Sequence, residues 1–307
     1  MGPARLLAIV GPTASGKSAL AVAVAQRLGS PAEVVSTDSM QVYCGMDIGT
    51  ATPTSAEQGG VPHHMIDVWG PDHAVTVAEF QREARVAIDG VLARGAVPVV
   101  VGGSGLYVSA VLDDLRFPGT DAGIRARLEE ELLADGPALL HARLADVDPA
   151  AAAAILPTNG RRIVRALEVV ELTGEPFVAQ LPDPVEVYPA LRMGLEVPRA
   201  ELDERIARRV DRMWDAGLVD EVRELAQRGL THAPTASRAL GYRQVLDLLA
   251  GKCTEEQARR ATVDATRRFA RRQQRWFRRD PRICWIAYDS PTAVDEVLAA
   301  RGSDTAT

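Results

Sequence analysis

Apolar residues arrive in the first third of the chain as short unbroken blocks, each closed by glycine or small polar residues and followed by a segment with helical spacing. Leu6 to Val10 is the first block, and Ala19, Leu20, Val22, Val24 and Leu28 after it carry a helical pattern up to Gly29. Glu33-Val34-Val35-Ser36 is the second block. A helix is predicted from Ala78 to Ala93, with apolar positions at Phe80, Ala84, Ala87, Ile88 and Val91. The third block, Val97 to Val101, is continuous in the manner of strands covered on both faces. Strand, helix, strand in succession predicts an α/β fold whose parallel sheet is flanked by helices.

The pattern changes at about Arg116 and stays changed to Pro189. That stretch is rich in Ala, Leu, Arg and Glu, has helical spacing at Leu128, Leu132 and Leu133, and shows no strand of the earlier kind. It reads as an inserted α-helical domain that ends in the proline-rich stretch Pro182 to Pro189. Leu191 to Val197 then returns as a strand, a helix after Pro198 buries Leu202, Ile206, Val210, Met213 and Trp214, and Ile283 to Ile286 is a last strand. The expected organisation is a core of residues 1–115 and 190–307 with an insertion at 116–189.

The strand ends carry the candidate chemistry. Gly11-Pro12-Thr13-Ala14-Ser15-Gly16-Lys17-Ser18 has the G-x-x-x-x-G-K-[ST] spacing of a phosphate-binding P-loop, and it stands where one must, between a strand and a helix. Loop amides and the positive end of the helix point at phosphate oxygens, Lys17 adds a point charge, and the Ser18 hydroxyl can hold Mg²⁺. Lysine occurs only at positions 17 and 252, in a chain that otherwise writes its basic residues as arginine. In a parallel sheet the C-terminal strand ends share one edge, so Asp38 and Ser104 are expected to face the cradle. Asp and Ser after a strand also commonly cap the next helix, which is the lesser reading of Asp38 and Ser39. Met46 to Pro53 reads as a turn-rich loop over the same edge, while His63 and His64, being adjacent in a strand, point to opposite sides.

Charge adds a second theme. The formal net charge is −6, yet the stretch from Arg259 to Arg282 alone has a balance of +8. Arg268, Arg271, Arg272, Arg275, Arg278 and Arg279 recur at steps that form a stripe on a helix, with Phe269, Trp276 and Phe277 interleaved. Such a stripe is either a solvated face or the footprint of a phosphate-rich partner such as RNA. Arg161, Arg162 and Arg165 crowd the first turns of another helix, where the dipole favours acids instead. No apolar run reaches the length of a membrane span, and the first one is interrupted by the P-loop, so a cytoplasmic protein is expected, with no membrane partner, as a monomer. Cys44, Cys253 and Cys284 are too scattered for a disulfide framework or a zinc site.

The order of its motifs is similar to that of the tRNA dimethylallyltransferases. GPTASGKS at 11–18, STDSMQVY at 36–43, MDIGTA at 46–51, HHMID at 63–67, GGSGLY at 102–107, RALEV at 165–169, RALGYRQ at 238–244 and RRQ-x-x-WF at 271–277 carry the resemblance over nearly the whole chain. It implies a P-loop NTPase-like fold that holds dimethylallyl diphosphate, not a triphosphate, and transfers the dimethylallyl group to N6 of the adenine at tRNA position 37. By that similarity Asp38 is the general base, Ser104 stands where the family has Thr and bonds the bridging oxygen, and Arg238 meets the diphosphate held at 11–18. The implied contacts with the tRNA anticodon stem-loop are Asp38, Ser39, Met40, Gln41, Ser104, Arg125, Arg161, Arg162, Arg165, Thr266, Arg267 and Arg268. The chain departs from the family in having Arg161 for the usual Gln and Gly160 for the usual Pro. A small-molecule P-loop kinase using ATP and a non-catalytic RNA-binding NTPase are the alternatives, and the first leaves the basic helix without a role.

Overall fold

A computed structural model describes residues 6–178 and 183–304, so Pro182 at the start of the proline-rich stretch lies outside the described residues. Six parallel strands, β1 (Leu6–Val10), β2 (Ala32–Ser36), β3 (His63–His64), β4 (Val97–Gly102), β5 (Ala190–Glu196) and β6 (Ile283–Ala287), form one sheet in the order β3-β2-β4-β1-β5-β6. The apolar blocks are central because both of their faces are buried. Leu6, Ala8 and Val10 of β1 join one core with Val35 and Val100, and Leu7 and Ile9 join the other with Val34, Val99 and Val101. Helix Val77–Ala93 covers the first face through Phe80, Ala84 and Ile88, and helix Lys17–Arg27 covers the second through Ala21, Val22 and Val24. β3 is only two residues long, which is why no apolar run announces it.

The fold separates into two compact units, Met1–Asp114 with Glu186–Thr307, and Leu115–Val185. In the first, buried Arg192 on β5 pairs with Asp113, Glu186 and Asp280, and Arg282 pairs with the same three acids. A charge buried this deeply is tolerated only with partners, so the cluster ties β5 to the approach to β6. The longest helix, Glu255–Phe277, begins with a capping box between Thr254 and Gln257 and acids in its first turn, both favourable at a helix N-terminus. It buries Ala258, Thr262, Thr266, Ala270, Gln273 and Phe277 along one stripe.

The second unit is helical. Helices Ala122–Asp135, Pro137–Val147, Pro149–Ala154 and Gly160–Thr173 enclose Leu128, Leu140, Leu144, Ile155, Ile163 and Leu167. Glu168, fully buried, accepts hydrogen bonds from the Asp121 amide, from Arg125 at 2.6 Å and from Arg165 at 2.8 Å. Burial works against its charge, but these donors outweigh it and hold the carboxyl below the usual glutamate range.

Candidate active site

The turn after β1 is held in a conformation its sequence does not favour. Ala14 sits at φ 63° and Gly16 at φ 98°, a region that costs a residue with a side chain roughly 1 to 2 kcal/mol and glycine almost nothing. Two distant side chains hold the turn there. Arg205, on helix Arg199–Asp215, donates to the Ala14 carbonyl at 2.8 Å, and the Thr13 amide donates to Gln273 Oε1 at 2.9 Å. The Ser15 amide returns to the Pro12 carbonyl. Pro12 has no N–H and those of Thr13 and Ser15 are engaged, so the amides left in the turn to meet an anion are that of Ala14 and, at the helix N-terminus, those of Gly16, Lys17 and Ser18.

Around this turn lies an open cleft lined by Thr13, Lys17, Ser18, Val34, Ser36, Asp38, Gln41, Thr50, Ala51, Pro53, His63, Ile66, Val101, Gly102 and Arg209. Lys17 and Arg209 supply positive charge and Asp38 a carboxylate, while Val34, Ile66, Val101 and Pro53 give it an apolar side. Burial pushes the Lys17 ammonium down to about 8, against the pull of Asp38 and with a further push from Arg209. Burial also lowers Arg209, and Asp38 opposes that shift. His63 faces the cleft and is lowered by burial, whereas His64 turns to Glu33 at 2.6 Å.

Asp38 is positioned by its own turn. Its Oδ1 accepts the Met40 amide at 2.9 Å, its amide donates to Ser36 Oγ, and Ser36 donates to Gln41 Oε1 at 2.8 Å. The roof, Thr50 to Pro53, belongs to a loop clamped by Glu221. That carboxylate accepts the amides of Asp47 and Ile48 at 3.1 and 2.8 Å and the Tyr242 hydroxyl at 2.6 Å. Gly49 has no room for a side chain, because a Cβ there would lie 2.3 Å from the Tyr242 ring. Arg209 adds a bond to the Thr50 carbonyl at 3.3 Å.

Several residues expected at the site do not line this cleft. Ser39 and Met40 are half-buried beside Asp38 and do not line the cleft. Ser104 opens helix Gly105–Leu112 two residues beyond Gly102, with no capping bond from its hydroxyl, and Arg238 is exposed; neither is part of the cleft wall. Arg209 was not anticipated, nor were Arg205 and Gln273. Of the residues expected at RNA, Thr266 is buried with its hydroxyl donated to the Thr262 carbonyl, and Arg267 is engaged with the Asp203 carbonyl at 3.1 Å. Arg125 and Arg165 are committed to Glu168, Arg165 also to the carbonyls of Pro118 and Gly119. Arg161, Arg162 and Arg268 are exposed.

The Ser18 hydroxyl is exposed and carries no hydrogen bond among the described residues, so with Asp38 nearby the donor set is oxygen only, the type that suits Mg²⁺. Among the described residues no helix is long and apolar enough to cross a membrane.

Two family models match this chain. Residues 41–280 match the family described as IPP transferase, and residues 4–70 match isopentenyl transferase. The tRNA dimethylallyltransferase of Thermobifida fusca is 64% identical over 96% of this chain and 93% of its own length. That of Streptomyces avermitilis is 62% identical over 92% and 90%. Among solved structures, the tRNA isopentenylpyrophosphate transferase of Bacillus halodurans superposes with a TM-score of 0.73 at 40% identity, covering 98% of this chain and 97% of that one. With a matching model over most of its length and relatives this similar end to end, the chain belongs to the tRNA dimethylallyltransferase family.

Proposed function

We propose that this enzyme transfers the dimethylallyl group of dimethylallyl diphosphate to N6 of adenine 37 in tRNA and releases diphosphate. One observation carries the reading: a single cleft joins a floor of Lys17, Arg209 and the Ser18 hydroxyl to an apolar wall and a lone carboxylate, Asp38. The floor suits a diphosphate and the wall suits a short hydrocarbon. The carboxylate suits a proton that must leave an amine.

In this reaction the bond from carbon 1 to the bridging oxygen breaks and its electron pair leaves on diphosphate, while the N6 lone pair forms the new bond to carbon 1. The allylic carbon is already electrophilic, so the protein needs no nucleophile and works by stabilising the leaving group. Lys17, Arg209 and the amides at Gly16 to Ser18 do this; the roles of Ser104 on the bridging oxygen and of Arg238 at the diphosphate rest on the family resemblance, since neither lines the cleft. Mg²⁺ held by Ser18 supplies further positive charge to the diphosphate when bound. N6 becomes acidic only as its new bond forms, and Asp38 accepts its proton.

Adenine enters from the side opposite the diphosphate after leaving its stack, a mode favoured in anticodon loops whose bases are already splayed. Ser39, Met40, Gln41, Arg161, Arg162 and Arg268 are the residues proposed for the RNA, in a protein acting in the cytoplasm. Arg161 in place of the family's usual Gln keeps a donor for a base edge and adds attraction for a phosphate.

The test is mass spectrometry of nucleosides from tRNA incubated with the protein, Mg²⁺ and dimethylallyl diphosphate. N6-dimethylallyl adenosine is the expected product. Turnover of ATP with a small alcohol, and none of the prenyl donor, would establish the kinase alternative instead. The Asp38→Asn variant is expected to lose about 10² to 10⁴ in single-turnover rate while still binding RNA.

A further inference from the structure

We infer that Gln273 is a positioning residue for the diphosphate loop, built into the helix that also carries the basic face; this deepens the proposed function and rests on it. The other buried positions nearby on helix Glu255–Phe277 are small or apolar, namely Ala258, Thr262, Thr266, Ala270 and Phe277. At position 273 a long amide side chain is buried instead, only 5% exposed. Its destination explains why.

Gln273 Oε1 accepts the Thr13 amide at 2.9 Å. Its Nε2 lies over Gly103, so close that a Cβ there would stand 2.5 Å away. One side chain is thereby wedged between the phosphate loop and the turn that leads to Ser104. Trp276, on the same side of the helix, packs on Gly105, where a Cβ would meet the indole at 2.1 Å. The helix thus docks on the turn after β4 through two glycines that leave it room, and on the turn after β1 through the bond to Thr13.

The consequence is directional. With its N–H bound by Gln273, Thr13 lines the cleft without offering that amide to an anion, and Ala14 next to it is held at positive φ, so the bond fixes the turn that leads into Lys17 and Ser18 in the cleft wall. Without the acceptor the turn can relax, and the donor must reorganise it on binding. The loss belongs to diphosphate recognition and not to RNA binding, because Arg268 and Arg275 lie exposed elsewhere on the helix.

The experiment compares the protein with its Gln273→Met variant, which keeps side-chain length and removes the acceptor. Inorganic pyrophosphate with Mg²⁺ is titrated calorimetrically, an anticodon stem-loop RNA is titrated separately, and melting temperature is recorded on the same samples. One positioning hydrogen bond lost should raise the pyrophosphate Kd and the donor KM by about tenfold. The effect should fall on KM rather than kcat, with RNA affinity and melting temperature held. An unchanged pyrophosphate Kd overturns the inference. So does a joint loss of pyrophosphate affinity, RNA affinity and melting temperature, which would make Gln273 a packing residue only. If the unsubstituted protein binds no pyrophosphate, the proposed function itself falls, and the inference with it.

Discussion

Lys17 holds its charge in a place that works against it. Burial drives its pKa to about 8 despite the attraction of Asp38. Below that value the ammonium is present to attract the proposed diphosphate; above it the turn loses its point charge, well short of where an ordinary lysine would titrate. The kcat/KM for the donor reports the free enzyme, so it should fall as pH rises through about 8. A Lys17→Arg variant starts lower, because its fork does not match the site, but its charge persists and its profile should stay flat across that range. A parallel fall in both would assign the titration to another group. The lysine could be read from sequence because a P-loop is local: eight consecutive residues specify turn, charge and helix start. Arg209 could not, since its approach to Asp38 depends on how a distant helix packs. Its trace was faint but present, for Arg205 and Arg209 stand four apart beside the buried stripe of Leu202, Ile206 and Val210. Arg165 and Glu168 left a clearer sign, an acid three residues after an arginine, which on a helix is a neighbour. Arg125 and Arg165 therefore have a partner within the chain, which Arg161, at the start of the helix that carries Arg165, does not share.

Helix Glu255–Phe277 shows what periodicity can and cannot divide. Its repeats of three and four correctly announced a basic stripe, but a stripe of arginine has edges, and residues on the edge fold back. Arg267 is such a residue, bonded to the Asp203 carbonyl, and Thr266 lies inside. Arg278 pairs with Glu196 at 2.9 Å, and Arg272 lies over the Phe269 ring. Arg268 and Arg275 remain exposed, one nearly two turns from the other, with half-exposed Arg271 between them. Only an arginine that reaches a phosphate displaces counterions on binding. Substituting Arg268 or Arg275 by Ala should therefore flatten the slope of log affinity for RNA against log salt by about 0.7 to 0.9. Arg267→Ala should leave that slope alone and lower the melting temperature, since it unmakes a contact between two helices. Equal slopes for all three variants would move the RNA to another surface, while a flattened slope for Arg267→Ala would mean that its bond to Asp203 opens when RNA arrives.

At the scale of the whole molecule, the division into two units decides where ligand energy goes. The α/β order of the chain was legible because a parallel sheet needs apolar strands and long crossovers, and both leave marks in the sequence. The insertion was legible through the loss of those marks. Every residue lining the cleft belongs to the unit containing the sheet, whereas the helical unit has its own core and its own buried ion cluster at Glu168. A ligand that binds only the folded cleft stabilises by mass action: pyrophosphate with Mg²⁺ at about 100 times its Kd contributes about 2.7 kcal/mol. For a unit of this size that corresponds to a rise in melting temperature of roughly 5 to 10 °C. The rise should come with slower amide exchange at Gly16, Lys17 and Ser18, and leave exchange in helices Ala122–Asp135 and Gly160–Thr173 as it was. In Lys17→Ala most of the rise should vanish. Were the shift to survive that substitution, or the slowed amides to fall among the helices of the insertion, pyrophosphate would have found a different anion site, and the cleft would lose its claim to the diphosphate half of the reaction.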